Sequence, residues 1–221
     1  SMPLMAAPPT AIEVARQLNE AFVDVAQRGT ASVVVVQVSQ KLETLADKSD
    51  HPFLKQMPEE MREQFEEHLK RERERQQRDG PSFNGEGSGI IYREDGFILT
   101  NAHVVENADR IRVKLHDGRE VEAEVRGQDP ESDIAILKLK ESVSGLRPAR
   151  FGNSDNVRVG EFAIAIGAPY ELEYSVTFGH ISAKGRAGLS RLLMDEDFLQ
   201  TDANINPGNS GGPLLDENGL V

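Results

Sequence analysis

The sequence predicts an all-β protein, a barrel or a sandwich, preceded by one helix. Three observations carry this. Short β-branched runs, several with strict apolar–polar alternation, recur from Gly85 onward. Turn-forming Gly, Asn and Asp residues separate them. No helical crossover lies between them, which argues against a doubly wound sheet.

Each element has its own signal. Residues 11–28, "AIEVARQLNEAFVDVAQR", space Ile12, Ala15, Leu18, Phe22 and Val25 as one buried helical stripe, and Gly29 is expected to stop the helix. "SVVVVQVS" (32–39) reads as a strand. "GSGIIYREDGFILT" reads as a hairpin turning at Glu94-Asp95-Gly96. In "RIRVKLHDGREVEAEVRG", Ile111, Val113 and Leu115 alternate, Asp117-Gly118 turns the chain, and Val121, Ala123 and Val125 alternate again. "DIAILKLK", "EFAIAIGAP", "YSVTFGHIS" and "DFLQTDANI" add four strand candidates.

Residues 41–84 break this pattern. Fourteen of the 21 residues in Glu59–Asp79 are charged, and Met61, Phe65 and Leu69 make only a thin apolar line. The segment reads as a long surface insertion: a solvated charge run, or a docking or regulatory loop. It is expected to pack poorly on its own chain.

Of the 221 residues, 38% are apolar, enough for a sizeable core. A formal net charge of −12 argues against a nucleic-acid binder, which needs a basic face. With no cysteine there is no disulfide, no thiolate nucleophile and no Cys-ligated metal. No apolar run approaches a membrane span. The opening "SMPLM" looks like a tag remnant, so a natural signal or anchor is expected to have preceded it.

The candidate chemistry begins at "NPGNSGGPL", Asn206 to Leu214. One serine stands among three glycines and two prolines. The segment is either a tight turn or a loop that exposes Ser210 and aims backbone N–H groups at one point. A serine hydroxyl needs a base, usually histidine, and the histidine needs a carboxylate to fix its tautomer. Of five histidines, His51 and His68 lie in the charged insertion, His116 beside a turn and His180 in a glycine-containing strand. His103 ends the run "GFILTNAHVV" among small and apolar residues. Asp133 leads into an apolar strand, either as a capping residue or as a histidine partner, because an unpaired acid there is costly. The chain order is His103, Asp133, Ser210.

"TNAHVV", "SDIAILKL" and "GNSGGPL" resemble the three active-site segments of trypsin-like serine proteases. More narrowly, "GSGIIYREDGFILTNAHVVENAD", "DPESDIAILKLK", "RVGEFAIAIGAPY" and "FLQTDANINPGNSGGPL" resemble the HtrA (Deg) family, from about Gly87 to Val221.

That resemblance implies a chymotrypsin-like fold of two six-stranded-type β-barrels. Residues 1–148 would hold the helix, the insertion and the first barrel, and residues 149–221 an incomplete second barrel. It implies His103, Asp133 and Ser210 as catalytic residues. Gly208, Asn209 and Ser210 would form the oxyanion hole, with Pro207 and Pro213 stiffening the loop. It implies a serine endopeptidase acting on unfolded or damaged protein in quality control, with small aliphatic side chains favoured before the cut. No metal or organic cofactor and no nucleic-acid partner is implied. A trimer-based homo-oligomer, downstream PDZ domains and a periplasmic or cell-envelope location are. Asp216–Gly219 reads as a hairpin turn, with Leu220 and Val221 beginning a returning strand. The strand that closes the second barrel in that family is expected to lie beyond Val221. The rival readings are a non-catalytic chaperone module on the same fold and an esterase. The esterase lacks its strand–turn–helix nucleophile context.

Overall fold

The computed structural model describes residues 9–40, 83, 85–168, 174–186, 197–206 and 208–221. Nearly all of the charged insertion and Pro207 fall outside them, so the expectations about both stay with the sequence.

Helix α1 spans Ala11–Thr30. Thr10 caps it by accepting the Glu13 N–H, and the Glu13 carboxylate accepts the Thr10 N–H in return. Those bonds from Thr10 hold the Glu13 carboxyl below its ordinary range. The expected buried stripe is corrected here. Ile12 is 73% exposed and Leu18 44%, Ala15 is exposed too, and the buried side chains begin only near Phe22 and Val25. Periodicity predicted a helix with an apolar face, and the helix forms. Its first half extends past the core that would cover that face. Gly29 also does not end the helix, which runs one residue further. A Cβ at Gly29 would lie 2.5 Å from Leu215 Cδ1 and 2.7 Å from Ile166 Cδ1, so the residue marks a close approach.

Six strands follow: β1 (Val33–Gln40), β2 (Gly85–Ile91), β3 (Phe97–Thr100), β4 (Ala108–Lys114), β5 (Glu120–Asp129) and β6 (Ile134–Leu139). They close into an antiparallel barrel in the order β1-β2-β3-β6-β5-β4, with β4 pairing back onto β1. The alternation in β4 and β5 turns Ile111, Val113, Val121 and Ala123 into the barrel.

A second sheet contains β7 (Phe162–Gly167), β8 (Ser175–Arg186), β9 (Phe198–Thr201) and β10 (Leu214–Leu215), in the order β10-β7-β8-β9. This sheet is open among the described residues. The turn at its end forms as expected, with Asp216 N–H donating to Leu220 O at 2.9 Å and Gly219 at φ +76°. Leu220 and Val221 then return alongside Arg150.

The valine run of β1 joins the two halves. Val34, Val36 and Val38 pack inside the barrel, while Val33 and Val35 pack with Val25, Ile164, Ile166 and Leu215. A strand buried on both faces needs no polar alternation, which is why the sequence reads VVVV.

Candidate active site

The three residues singled out come from different places in this frame. His103 lies just after β3, Asp133 just before β6, and Ser210 in the loop before β10.

Strands β3 and β6 are neighbours, with Thr100 opposite Ala135. Their adjoining ends therefore bring the 101–103 segment beside Asp133. Four hydrogen bonds lock them together. The Asp133 carbonyl accepts the Ala102 N–H at 3.1 Å and Asn101 Nδ2 at 2.9 Å. Its carboxylate accepts the His103 N–H on Oδ1 at 2.9 Å and meets His103 Nδ1 through Oδ2 at 2.7 Å. A proton on Nδ1 directed at the carboxylate leaves Nε2 as the basic nitrogen. The His103 side chain is 53% exposed and that of Asp133 28%, so the carboxylate is the more shielded partner.

Asp133 takes a left-handed backbone, φ +54°, which Asp tolerates better than most residues. The turn before it is prepared by Asp129, whose carboxylate accepts the Glu131 N–H and the Ser132 hydroxyl. Those two bonds hold the Asp129 carboxyl below its ordinary range, the Ser132 hydroxyl most strongly.

The Ser210 loop rests on the end of the first barrel. The Ser210 carbonyl accepts the Ser88 N–H at 2.8 Å. A Cβ at Gly87 would lie 2.7 Å from Val104 Cγ1 and 3.2 Å from the Ser210 carbonyl, so the two flank the same spot. Gly211 is needed for two reasons. Its φ is +85°, and a Cβ there would lie 2.2 Å from Ser88 O and 2.4 Å from Thr100 Oγ1. Ser210 is thus carried to the barrel end that holds His103. Among the described residues its hydroxyl has no hydrogen bond to His103.

The expected oxyanion residues separate by geometry. The Ser210 N–H has no acceptor among the described residues. The Asn209 N–H donates to Asn206 O at 3.0 Å and is spent inside the turn. Asn209 instead turns its side chain inward, buried against Gly167, where neither amide atom has a partner among the described residues. Pro213 is buried at the far end of the loop. Of the other described histidines, the His116 ring lies tilted against Tyr174 and the His180 ring against Phe162, with His180 Nδ1 3.9 Å from the Asp202 carboxylate. Burial, with Asp117 nearby, pushes the Tyr174 hydroxyl up to about 12.

Sequence reasoning missed Asn101, Thr100 and Ser88. Thr100 is buried and donates to Ser88 O at 2.7 Å. All three lie inside the motifs already singled out, but Ser, Thr and Asn are common enough that only their bonds reveal them.

Residues 87–221 match the model of the trypsin-like peptidase domain family. A protein of Ectopseudomonas mendocina described as "Probable periplasmic serine endoprotease DegP-like" is 42% identical over 205 residues, covering 90% of this chain and 42% of that protein. One of the same description from Chlamydia trachomatis is 53% identical over 135 residues, covering 61% of this chain and 27% of that protein. The chain spans less than half the length of these relatives. The solved structure of the HtrA-type protease AlgW with a tripeptide superposes with a TM-score of 0.67 at 34% identity, covering 90% of this chain and 52% of that one. The chain belongs to the trypsin-like peptidase family, as a protease domain of the HtrA (Deg) type.

Proposed function

We propose that the protein is a serine endopeptidase in which His103, Asp133 and Ser210 form the catalytic triad. The observation that carries this reading is the pair of hydrogen bonds from His103, through its backbone N–H at 2.9 Å and its Nδ1 at 2.7 Å, to one Asp133 carboxylate, with Ser210 delivered to the same end of the barrel. In this reading Ser210 Oγ attacks the scissile carbonyl and its proton passes to His103 Nε2. Asp133 stabilises the resulting imidazolium, and the proton then goes to the leaving amine. Water then attacks the acyl carbonyl and gives its proton to His103 Nε2, which returns it to Ser210 Oγ as the ester bond breaks and the acid product leaves. The N–H groups of Gly208 and Ser210 meet the negative charge on the carbonyl oxygen, where one donor is typically worth about a hundredfold to a thousandfold.

The further proposals follow the relatives. Their descriptions as periplasmic serine endoproteases support a periplasmic location for this protein. Unfolded protein as substrate, a trimer-based homo-oligomer and downstream PDZ domains belong to the same HtrA reading. We also place the division between the two halves near Pro148. Ala149 N–H still donates to Ile91 O of the first barrel, whereas Arg150 already pairs with Leu220.

One observation favours the chaperone alternative: the Ser210 hydroxyl is not bonded to His103. Cleavage of unfolded casein decides between the two. Ser210→Ala should abolish it, and a fluorophosphonate should label Ser210 in the parent while sparing Ser154 and Ser182. Casein turnover that survives in Ser210→Ala would end the triad reading.

A further inference from the structure

Ser88 lies in β2 of the first barrel, wholly buried, yet most of its bonds reach the second half. Its N–H donates to the Ser210 carbonyl at 2.8 Å. Its Oγ donates to the Gly208 carbonyl at 2.6 Å and accepts the Ala168 N–H at 2.9 Å. Its carbonyl accepts Thr100 Oγ1 at 2.7 Å.

The direction of the hydroxyl proton follows from this set. Ala168 N–H can only donate, so it occupies a lone pair of Oγ. The single proton is left for the Gly208 carbonyl.

Three consecutive carbonyls of the nucleophile loop are thereby captured. Gly208 O is held by Ser88 Oγ, Asn209 O by the Gly212 N–H at 2.8 Å, and Ser210 O by the Ser88 N–H. A peptide plane carries its C=O and N–H on opposite edges. Anchoring the Asn209 carbonyl therefore aims the Ser210 N–H the other way, where it has no acceptor among the described residues. Ser88 anchors the planes on either side. Asn209 contributes no side-chain bond, so Ser88 is the one side chain that hydrogen-bonds residues 208–212 among the described residues.

We propose that Ser88 is a positioning residue for the oxyanion hole, holding the Gly208–Ser210 backbone in its donor-out conformation from the first barrel. The inference rests on Ser210 being the nucleophile. Ser88 touches no substrate. It acts by removing the freedom of the 208–209 plane to rotate, which matters because misplacement by about 1 Å can cost about a hundredfold in rate.

The test uses Ser88→Ala, which deletes the hydroxyl, and Ser88→Cys, which fills the same space with a weak donor. Both are compared with Ser210→Ala for hydrolysis of a peptide substrate and for affinity to a peptide boronate, whose tetrahedral adduct places an oxygen in the hole. The expected result is two folded variants by circular dichroism, with kcat reduced about 10- to 100-fold and KM unchanged. Boronate affinity should fall in step with kcat, and the pH profile of kcat/KM should keep its shape because the His103–Asp133 pair is untouched. Parental kcat in both variants would overturn the proposal, as would a lost kcat with undiminished boronate affinity. Failure of both variants to fold would also overturn it, by making the hydroxyl a requirement of the fold. Persistent hydrolysis in Ser210→Ala would instead overturn the triad reading beneath it.

Discussion

Six strands close the first half into a barrel, whereas the second half shows four hydrogen-bonded strands that stay open among the described residues. Their cores differ in the same sense. The barrel interior is filled by its own strands, from Val34 and Val36 through Ile98, Val113 and Leu137. The second cluster borrows Val25 from α1 and Val33 and Val35 from β1 to complete itself around Ile164, Ile166 and Leu215. The site divides along this line. The histidine and carboxylate sit on the closed barrel, fastened by four hydrogen bonds, and the serine sits on the open sheet. The His103–Asp133 pair is thus fastened within the first barrel, whereas the Ser210 loop is held by contacts across the junction.

This contrast can be broken from either side. The largest effect is expected on the closed side. Asp133→Asn keeps the shape of the bridge to His103 but offers an N–H where Nδ1 needs an acceptor, so the wrong tautomer is favoured. The kcat of peptide hydrolysis should fall on the order of ten-thousandfold, with the melting temperature little changed. A loss below tenfold would show that the carboxylate does not control the histidine.

The next effect is expected at the junction. Gly211→Ala drives a methyl group into Ser88 O and Thr100 Oγ1 in a left-handed backbone that Ala resists. The loop should detach from the barrel, lowering kcat/KM on the order of a hundredfold. Fluorophosphonate labelling of Ser210 should slow in parallel. Labelling at the parental rate would mean that the loop does not rely on this seat.

The smallest effect sharpens the comparison of the cores. Val36 and Val35 are neighbours on β1, one facing the barrel and one the second cluster. Truncating either to Ala should cost about 2 kcal/mol, the scale of one buried valine. Because β1 serves both cores, each variant should melt in one cooperative transition shifted by a similar amount. Two separate transitions in Val35→Ala, monitored by circular dichroism, would show that the halves unfold independently.

Local chemistry made much of this legible in advance. The alternation of Ile111, Val113, Val121 and Ala123 placed a hairpin because side-chain direction along a strand has period two. The candidate site was proposed from the sequence because a serine nucleophile requires a base and a carboxylate, and three segments resembling protease active-site motifs supply His103, Asp133 and Ser210. The helix was readable as a helix, but its buried stripe was not. Ile12 and Leu18 have the right spacing and still face outward, since spacing defines a face without supplying a core to cover it.

The sequence by itself determined the strands and the turn residues, because each follows from properties a residue carries with it, and it named His103, Asp133 and Ser210 as candidates through the motifs around them. Tertiary structure alone decided that VVVV is buried on both faces, that Asn101 and Ala102 fasten Asp133, and that Ser88 grips a loop 120 residues further along the chain. Hydrogen bonds between distant segments depend on barrel closure and strand register. A serine in β2 has no local property that marks it until β2 and the Ser210 loop have been brought together.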